Sequence, residues 1–144
     1  MEDKALGLLG LMRRASAIEL GEDNSAAAVK AGKAKLLLLS SDVSDSARRK
    51  AESFSFGRSV LLVPLHYTRE ELGAALGVKS CAMAALTDMG FSNALMKELE
   101  KQYPEEYSGV YEETAKRLEK TQRRRKETAK RGGLKRNVKR RTEV

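Results

Sequence analysis

Apolar residues recur along this chain with two different periods, and the switching between them divides it into short elements. Ala5, Leu8, Leu9 and Met12 fall on one face of a helix over residues 4–14, and Arg13 and Arg14 close it, where cations suit the helix dipole. Gly7 and Gly10 each cost a helix on the order of 1 kcal/mol against Ala, so they point to a close helix–sheet contact. Residues 18–20 read as a short strand ending at Gly21. The polar turn Glu22-Asp23-Asn24-Ser25 then leads into a small-residue helix over residues 26–31 that stops at Gly32. Its Asp, Asn and Ser side chains are expected to accept hydrogen bonds from the free amides of the helix start. The four leucines at 36–39 form an apolar strand.

The second half repeats the alternation. Ser44 or Asp45 caps a helix through residues 48–52, Phe54 and Phe56 are expected to pack back on the core, and Gly57 breaks the run. Residues 60–63 are a continuous apolar strand, of the kind covered on both faces, and Pro64 closes it. Thr68 and Glu71 form a capping box for a helix ending at Gly77. A tight loop, Val78-Lys79-Ser80, precedes a strand over residues 81–86. Thr87-Asp88-Met89-Gly90 turns into a helix whose stripe is Phe91, Leu95, Met96 and Leu99. Pro104 marks a boundary, giving a domain over 1–103 and an arm over 104–144. The arm begins as an exposed helix with a thinning stripe of Tyr107, Val110, Tyr111 and Leu118. Gly132-Gly133 is expected to end that helix and to leave a basic tail without structure of its own. The order αβαβαβαβα predicts an α/β fold, a sheet layered between helices.

Charge changes the picture more than composition does. The formal net charge is +8, but residues 1–113 carry 14 Lys/Arg against 17 Asp/Glu, while residues 114–144 carry 14 against 3. The basic character therefore belongs to the last fifth of the chain, including Arg123, Arg124 and Arg125, and marks an arm that touches nucleic acid or another polyanion. The single Cys81 excludes an intramolecular disulfide framework and fits a reducing compartment. With no apolar run of bilayer-spanning length and no signal-like start, the chain reads as cytoplasmic, without a membrane role.

Catalytic signals are few. His66, the only histidine, follows a Pro-ended strand without a Ser or Cys partner nearby in sequence, and reads as structural or solvated. Cys81 reads as a small apolar residue of a strand. One Cys and one His do not make a zinc site, and no phosphate-binding glycine signature follows any strand, so neither metal nor cofactor is expected. Asp42, Asp45 and Asp88 lie near strand ends, where they read as helix caps before they read as acids or bases. The helix start at Gly21 is a different matter. Exposed amides at such a start form a natural phosphate site.

The segments Leu8-Leu9-Gly10-Leu11-Met12-Arg13-Arg14-Ala15, Gly21-Glu22, Ala31-Gly32-Lys33-Ala34-Lys35-Leu36, then Asp42 and Thr87-Asp88-Met89-Gly90-Phe91, taken in order and spacing, resemble the bacterial branch of the kink-turn RNA-binding ribosomal proteins, the L-seven-Ae and L-thirty-e type. The resemblance covers roughly residues 4–100. It implies a three-layer α/β/α sandwich around a mixed four-stranded sheet, with the basic arm as a C-terminal helical extension. It also implies noncatalytic binding of structured RNA, ribosomal or otherwise kink-turned, in translation or beside the ribosome, by a monomer that also meets ribosome or translation proteins. The RNA-facing surface it implies is the turn Gly21, Glu22, Asp23, Asn24 and Ser25 with the helix it opens, including Lys30, helped by Val78, Lys79 and Ser80 and by Asp42. Arg123, Arg124 and Arg125 would add phosphate contacts. Asp23, Asn24, Ala27 and Ala31 stand where kink-turn binders carry Asn, Glu, Lys and often Arg. These replacements motivate a second expectation, a protein-interaction adaptor of the same fold.

Overall fold

The computed structural model describes residues 3–142, and the side chains of residues 3–130. The leucines of β2 (Leu36–Leu39) are all buried, because the strand is covered on both faces. It pairs in parallel with β3 (Leu61–Pro64) and antiparallel with β4 (Met83–Leu86), and β4 pairs antiparallel with β1 (Ile18–Leu20) on its other side. The order β1-β4-β2-β3 is a mixed four-stranded sheet.

The two-residue period of the strands sorts their side chains into two cores. Leu36, Leu38, Val63, Ala84 and Leu86 face α1 (Lys4–Arg14), α4 (Arg69–Leu76) and α5 (Met89–Gln102) through Leu9, Met12, Leu72, Leu76, Leu95 and Leu99. Leu37, Leu39, Met83 and Ala85 face α2 (Glu22–Lys30) and α3 (Asp45–Ser55) through Ala28 and Ala51. Each fully buried Leu or Met contributes roughly 1.5–3 kcal/mol. The result is the α/β/α sandwich the alternation predicts, with a C-terminal helix added.

Register defines two rims. At the first, Leu20 lies opposite Ala84, and Leu39 lies between Met83 and Pro64. The ends of β1, β2 and β3 and the start of β4 therefore meet there. At the second, Leu36 lies between Leu86 and Leu61.

Several local expectations hold. Ser44 caps α3, Asp88 caps α5, and Thr68 with Glu71 completes the capping box of α4. Others change. The helix after β1 starts at Glu22 rather than at residue 26, so the polar turn is its first turn. Gly21 is the N-cap at φ 89°, and no side chain caps the amides. Phe56 is 88% exposed, because it is the first residue past α3 and leaves the Ala47-Ala51-Phe54 stripe that packs. The last strand begins at Met83, with Cys81 and Ala82 leading into it. Gly10 marks a helix–helix contact, not a helix–sheet one: a Cβ there would lie 3.2 Å from the Ala75 carbonyl oxygen, whereas Gly7 faces open space.

The final helix, α6 (Pro104–Thr142), is continuous through Gly132 and Gly133. Two glycines cost a helix about 2 kcal/mol, too little to stop propagation among strong helix formers. Its first turns belong to the body. Tyr107 is 2% exposed within the first core and donates to the Pro64 carbonyl at 2.6 Å. His66 Nε2 meets Glu106 Oε2 at 2.5 Å and stacks on Tyr103 at 4.0 Å between centroids, so the lone histidine holds the start of α6.

Asp42 joins the end of β2 to α4. Its Oδ1 accepts from the Arg69 backbone N–H at 2.9 Å, its Oδ2 from Arg69 Nε at 3.3 Å. The backbone bond is the main cause of a carboxyl held below its ordinary 3.8. Such a depressed group adds stability above pH 3.8 that fades as pH falls through its folded value. In urea unfolding, Asp42→Asn is expected to lower the midpoint at pH 7, with the gap to the parent shrinking below pH 3.8.

Gly73 lies inside α4, and a Cβ on it would sit 2.7 Å from Ser80 Cα and 2.8 Å from the Lys79 carbonyl oxygen. Both are backbone atoms of the loop before β4, so no rotamer change relieves the clash. Overpacking of this kind costs about 1–3 kcal/mol and exceeds the helix gain of about 1 kcal/mol. Gly73→Ala is expected to lose up to about 2 kcal/mol in urea unfolding and to shift amide resonances of Lys79 and Ser80. Unchanged stability and resonances would show that the loop does not rest on α4.

Candidate nucleic-acid interface

The Gly21 backbone N–H donates to the Met83 carbonyl at 2.8 Å. That bond seats the start of α2 against the start of β4, beside the chain that leads in from the loop. A positive φ suits this residue because glycine carries no Cβ. The amides of Glu22, Asp23 and Asn24 have no acceptor within the helix. Asn24 Nδ2 donates back to the Leu20 carbonyl at 2.9 Å, which ties the strand end to the helix start and fixes the side chain's orientation.

The loop comes to this mouth from α4. Gly77 takes the left-handed conformation at φ 75°, and the Val78 N–H returns to the Gly73 carbonyl at 2.8 Å. The Cys81 N–H donates to the Arg69 carbonyl at 2.9 Å. Leu20, Gly21, Glu22, Val78, Ser80, Ala82 and Met83, with Ala47 from α3, line one cleft of about 340 Å³. Its lining is mostly apolar, and backbone donors stand at its edge. Cys81 also lines it. Burial pushes its thiol up, and the protonated sulfur donates to the Met83 carbonyl at 3.2 Å.

The residues singled out from the sequence are therefore divided among three places. Gly21, Glu22, Val78 and Ser80 meet in the cleft, with Asp23, Asn24 and Lys79 exposed beside it. Ser25 does not reach the surface: its side chain is fully buried, because the fourth helical position turns toward the core. Lys30 lies at the far end of α2, about 12 Å along the axis from the mouth. Asp42 stands at the first rim, engaged by Arg69. Arg123, Arg124 and Arg125 are exposed on α6 beyond Arg117, whose guanidinium donates to the Ser59 carbonyl at the second rim. The arm thus passes the opposite end of the sheet, on the order of 20 Å from the mouth.

Two contributors escaped the sequence. Lys50 of α3 reaches across to Glu22 at 3.2 Å and offsets one of the two carboxylates at the mouth. This pairing depends on α2 and α3 lying side by side. Gly73 sets the loop height, and an isolated glycine inside a helical pattern was the available signal. Among the described residues, no group of acidic, His or Cys side chains could hold a metal ion, and no helix is long and apolar enough to cross a membrane.

Comparison with known proteins bears on the fold and the family. The chain is 32% identical over 93 residues to the RNA-binding protein YlxQ of Bacillus subtilis (strain 168), across 65% of this chain and 92% of that protein. A solved structure of a protein with unknown function from Bacillus halodurans C matches with a TM-score of 0.64 at 30% identity, over 69% of this chain and 99% of that one. Nearly all of each relative is spent on about two thirds of this chain, which leaves little of either to match the length of α6. Residues 3–96 match the Ribosomal protein L7Ae/L30e/S12e/Gadd45 family, and with the sheet order and the α2 mouth in place the chain belongs to that family.

Proposed function

We propose that this protein is a noncatalytic binder of structured RNA, acting in the cytoplasm as a monomer in translation or beside the ribosome. The observation that carries the reading is the cleft in which Gly21 and Glu22 meet Val78 and Ser80. A base turned out of an RNA helix fits an apolar slot, and the free amides beside it suit the phosphate that follows. Asn24, held by the Leu20 carbonyl, keeps its amide oxygen free to accept from a base edge. The relatives support the same reading, since one of them bears the name RNA-binding protein. A kink-turn, with its sharply bent helix and extruded base, is the RNA shape that matches a single narrow slot. The mouth itself is not cationic: Glu22 is paired with Lys50, and Asp23 makes no ion pair among the described residues. Affinity then has to come from elsewhere, and α6 is the source that the charge distribution offers.

A second reading, a protein-interaction adaptor, draws on Ala27 and Ala31. Both are exposed, Ala27 in the middle of α2 and Ala31 just past its end, which leaves that face without cations at these two positions. A complex recovered from cells that survives nuclease treatment would favour it.

The full chain is expected to bind a labelled hairpin containing a kink-turn more tightly than a plain duplex. Asn24→Ala is expected to weaken the hairpin about 10-fold or more and to leave the duplex unaffected, since a base-edge contact carries roughly 1–3 kcal/mol. Removing residues 114–144 should weaken both. Six lost phosphate contacts would flatten the slope of log affinity against log salt by about 4 to 5. Filter binding that detects no RNA affinity at low salt would defeat the proposal.

A further inference from the structure

At the second rim α6 crosses the ends of the sheet and leaves a groove of about 490 Å³. Gly32, Ala34 and Ser59 make its sheet side, and they are small enough to admit a polymer backbone. Lys120 and Arg124 rise from α6 one helical turn apart, and Lys35 meets them from the strand side. The one carboxylate in the lining, Glu113, already receives Arg117 Nε at 2.9 Å, while Arg117 also holds the Ser59 carbonyl. Arg117 is thus the brace that sets α6 against the rim, and Lys35, Lys120 and Arg124 are the charges left to a ligand. An adjoining hollow of about 310 Å³ shares Gly32, Ala34 and Ser59 and adds Arg58, which donates to the Val29 and Lys30 carbonyls at the end of α2. Exposed Lys30 and Lys33 border the same corner.

A solvated face of a charged helix would have no second wall. Here, cations from two elements face a trough of small residues, and the only lining carboxylate is neutralised. That suits a phosphodiester backbone better than an acidic protein surface, which would need apolar anchors where this lining offers only Ala34 and the buried Met89. We propose that the groove is a second RNA site, which grips the backbone of a helical segment separate from the one at the α2 mouth. The proposal rests on RNA as the ligand, as above, and adds where the second contact lies. Mouth and groove sit at opposite rims, more than 10 Å of sheet apart. One RNA that touches both must run the length of the body.

The test uses the full chain and fluorescence anisotropy with a plain RNA duplex of about 20 base pairs, titrated between about 50 and 200 mM salt. The triple variant Lys35→Gln, Lys120→Gln, Arg124→Gln removes three charges and keeps side-chain length. It is expected to bind the duplex about 10-fold or more weakly, with the salt slope shallower by about 2, while a control carrying Lys4→Gln and Lys97→Gln, exposed cations on α1 and α5, binds the duplex as the parent does. The triple variant should keep the parent's preference for the kink-turn hairpin over the duplex. If it matches the parent in duplex affinity and slope, the groove is not an RNA site, whether it takes an acidic protein or nothing. If the parent itself binds neither RNA, the RNA reading fails and the groove proposal with it.

Discussion

The placement of β4 is the constraint on which the rest of this molecule depends. The strand is the last to join the sheet, yet it lies inside it, antiparallel to a neighbour on each side. Its small Ala84 and Ala85 leave room for larger side chains from helices on both faces. A chain that enters the middle of a sheet must emerge between two strand ends. The Val78–Ser80 loop is therefore delivered beside the end of β1, where α2 begins, and the Gly21–Met83 hydrogen bond closes the joint. Were β4 an edge strand beyond β3, two strands would stand between the same loop and the helix start, and no cleft would join them.

The same topology separates two kinds of electrostatics. The mouth holds backbone donors beside carboxylates, one of them neutralised by Lys50. That is a selective arrangement with weak long-range attraction, since a body carrying slightly more acid than base does not draw in a polyanion. The cations collect along α6, which starts at the first rim under Tyr107 and His66 and reaches the second rim at Arg117. Free backbone donors and clustered cations thus sit at different ends of one sandwich. The family match ends at residue 96, before α6 begins, so the helix that gathers these cations lies outside the matched residues.

Much of the scaffold was legible because its signals are local. The leucine run, the Thr68–Glu71 box and the Asp88 cap each act within a few residues, and each formed as read. The errors came where a distant partner decides. A polar Glu-Asp-Asn-Ser string reads as a capping turn, but the Gly21 amide bond to β4 moves the helix start forward and makes glycine the cap. Phe56 is apolar but falls off the helical stripe as its helix ends. Gly132-Gly133 reads as a stop, yet the residues around it continue the helix. Of the candidate site, the Gly21 turn was legible in its residues and the Val78–Ser80 loop came from resemblance, whereas burial of Ser25, the remoteness of Lys30 and the far position of Arg123–Arg125 require the folded arrangement.

Gly73 has one more consequence. The loop that helps form the cleft rests on α4 through main-chain atoms, at a point where the helix offers no side chain. Its height above the sheet is accordingly independent of what Lys79 and Ser80 happen to be, while Val78 adds its own packing on the first core. Those two positions can be exchanged like type in a fixed frame, with the frame itself left undisturbed.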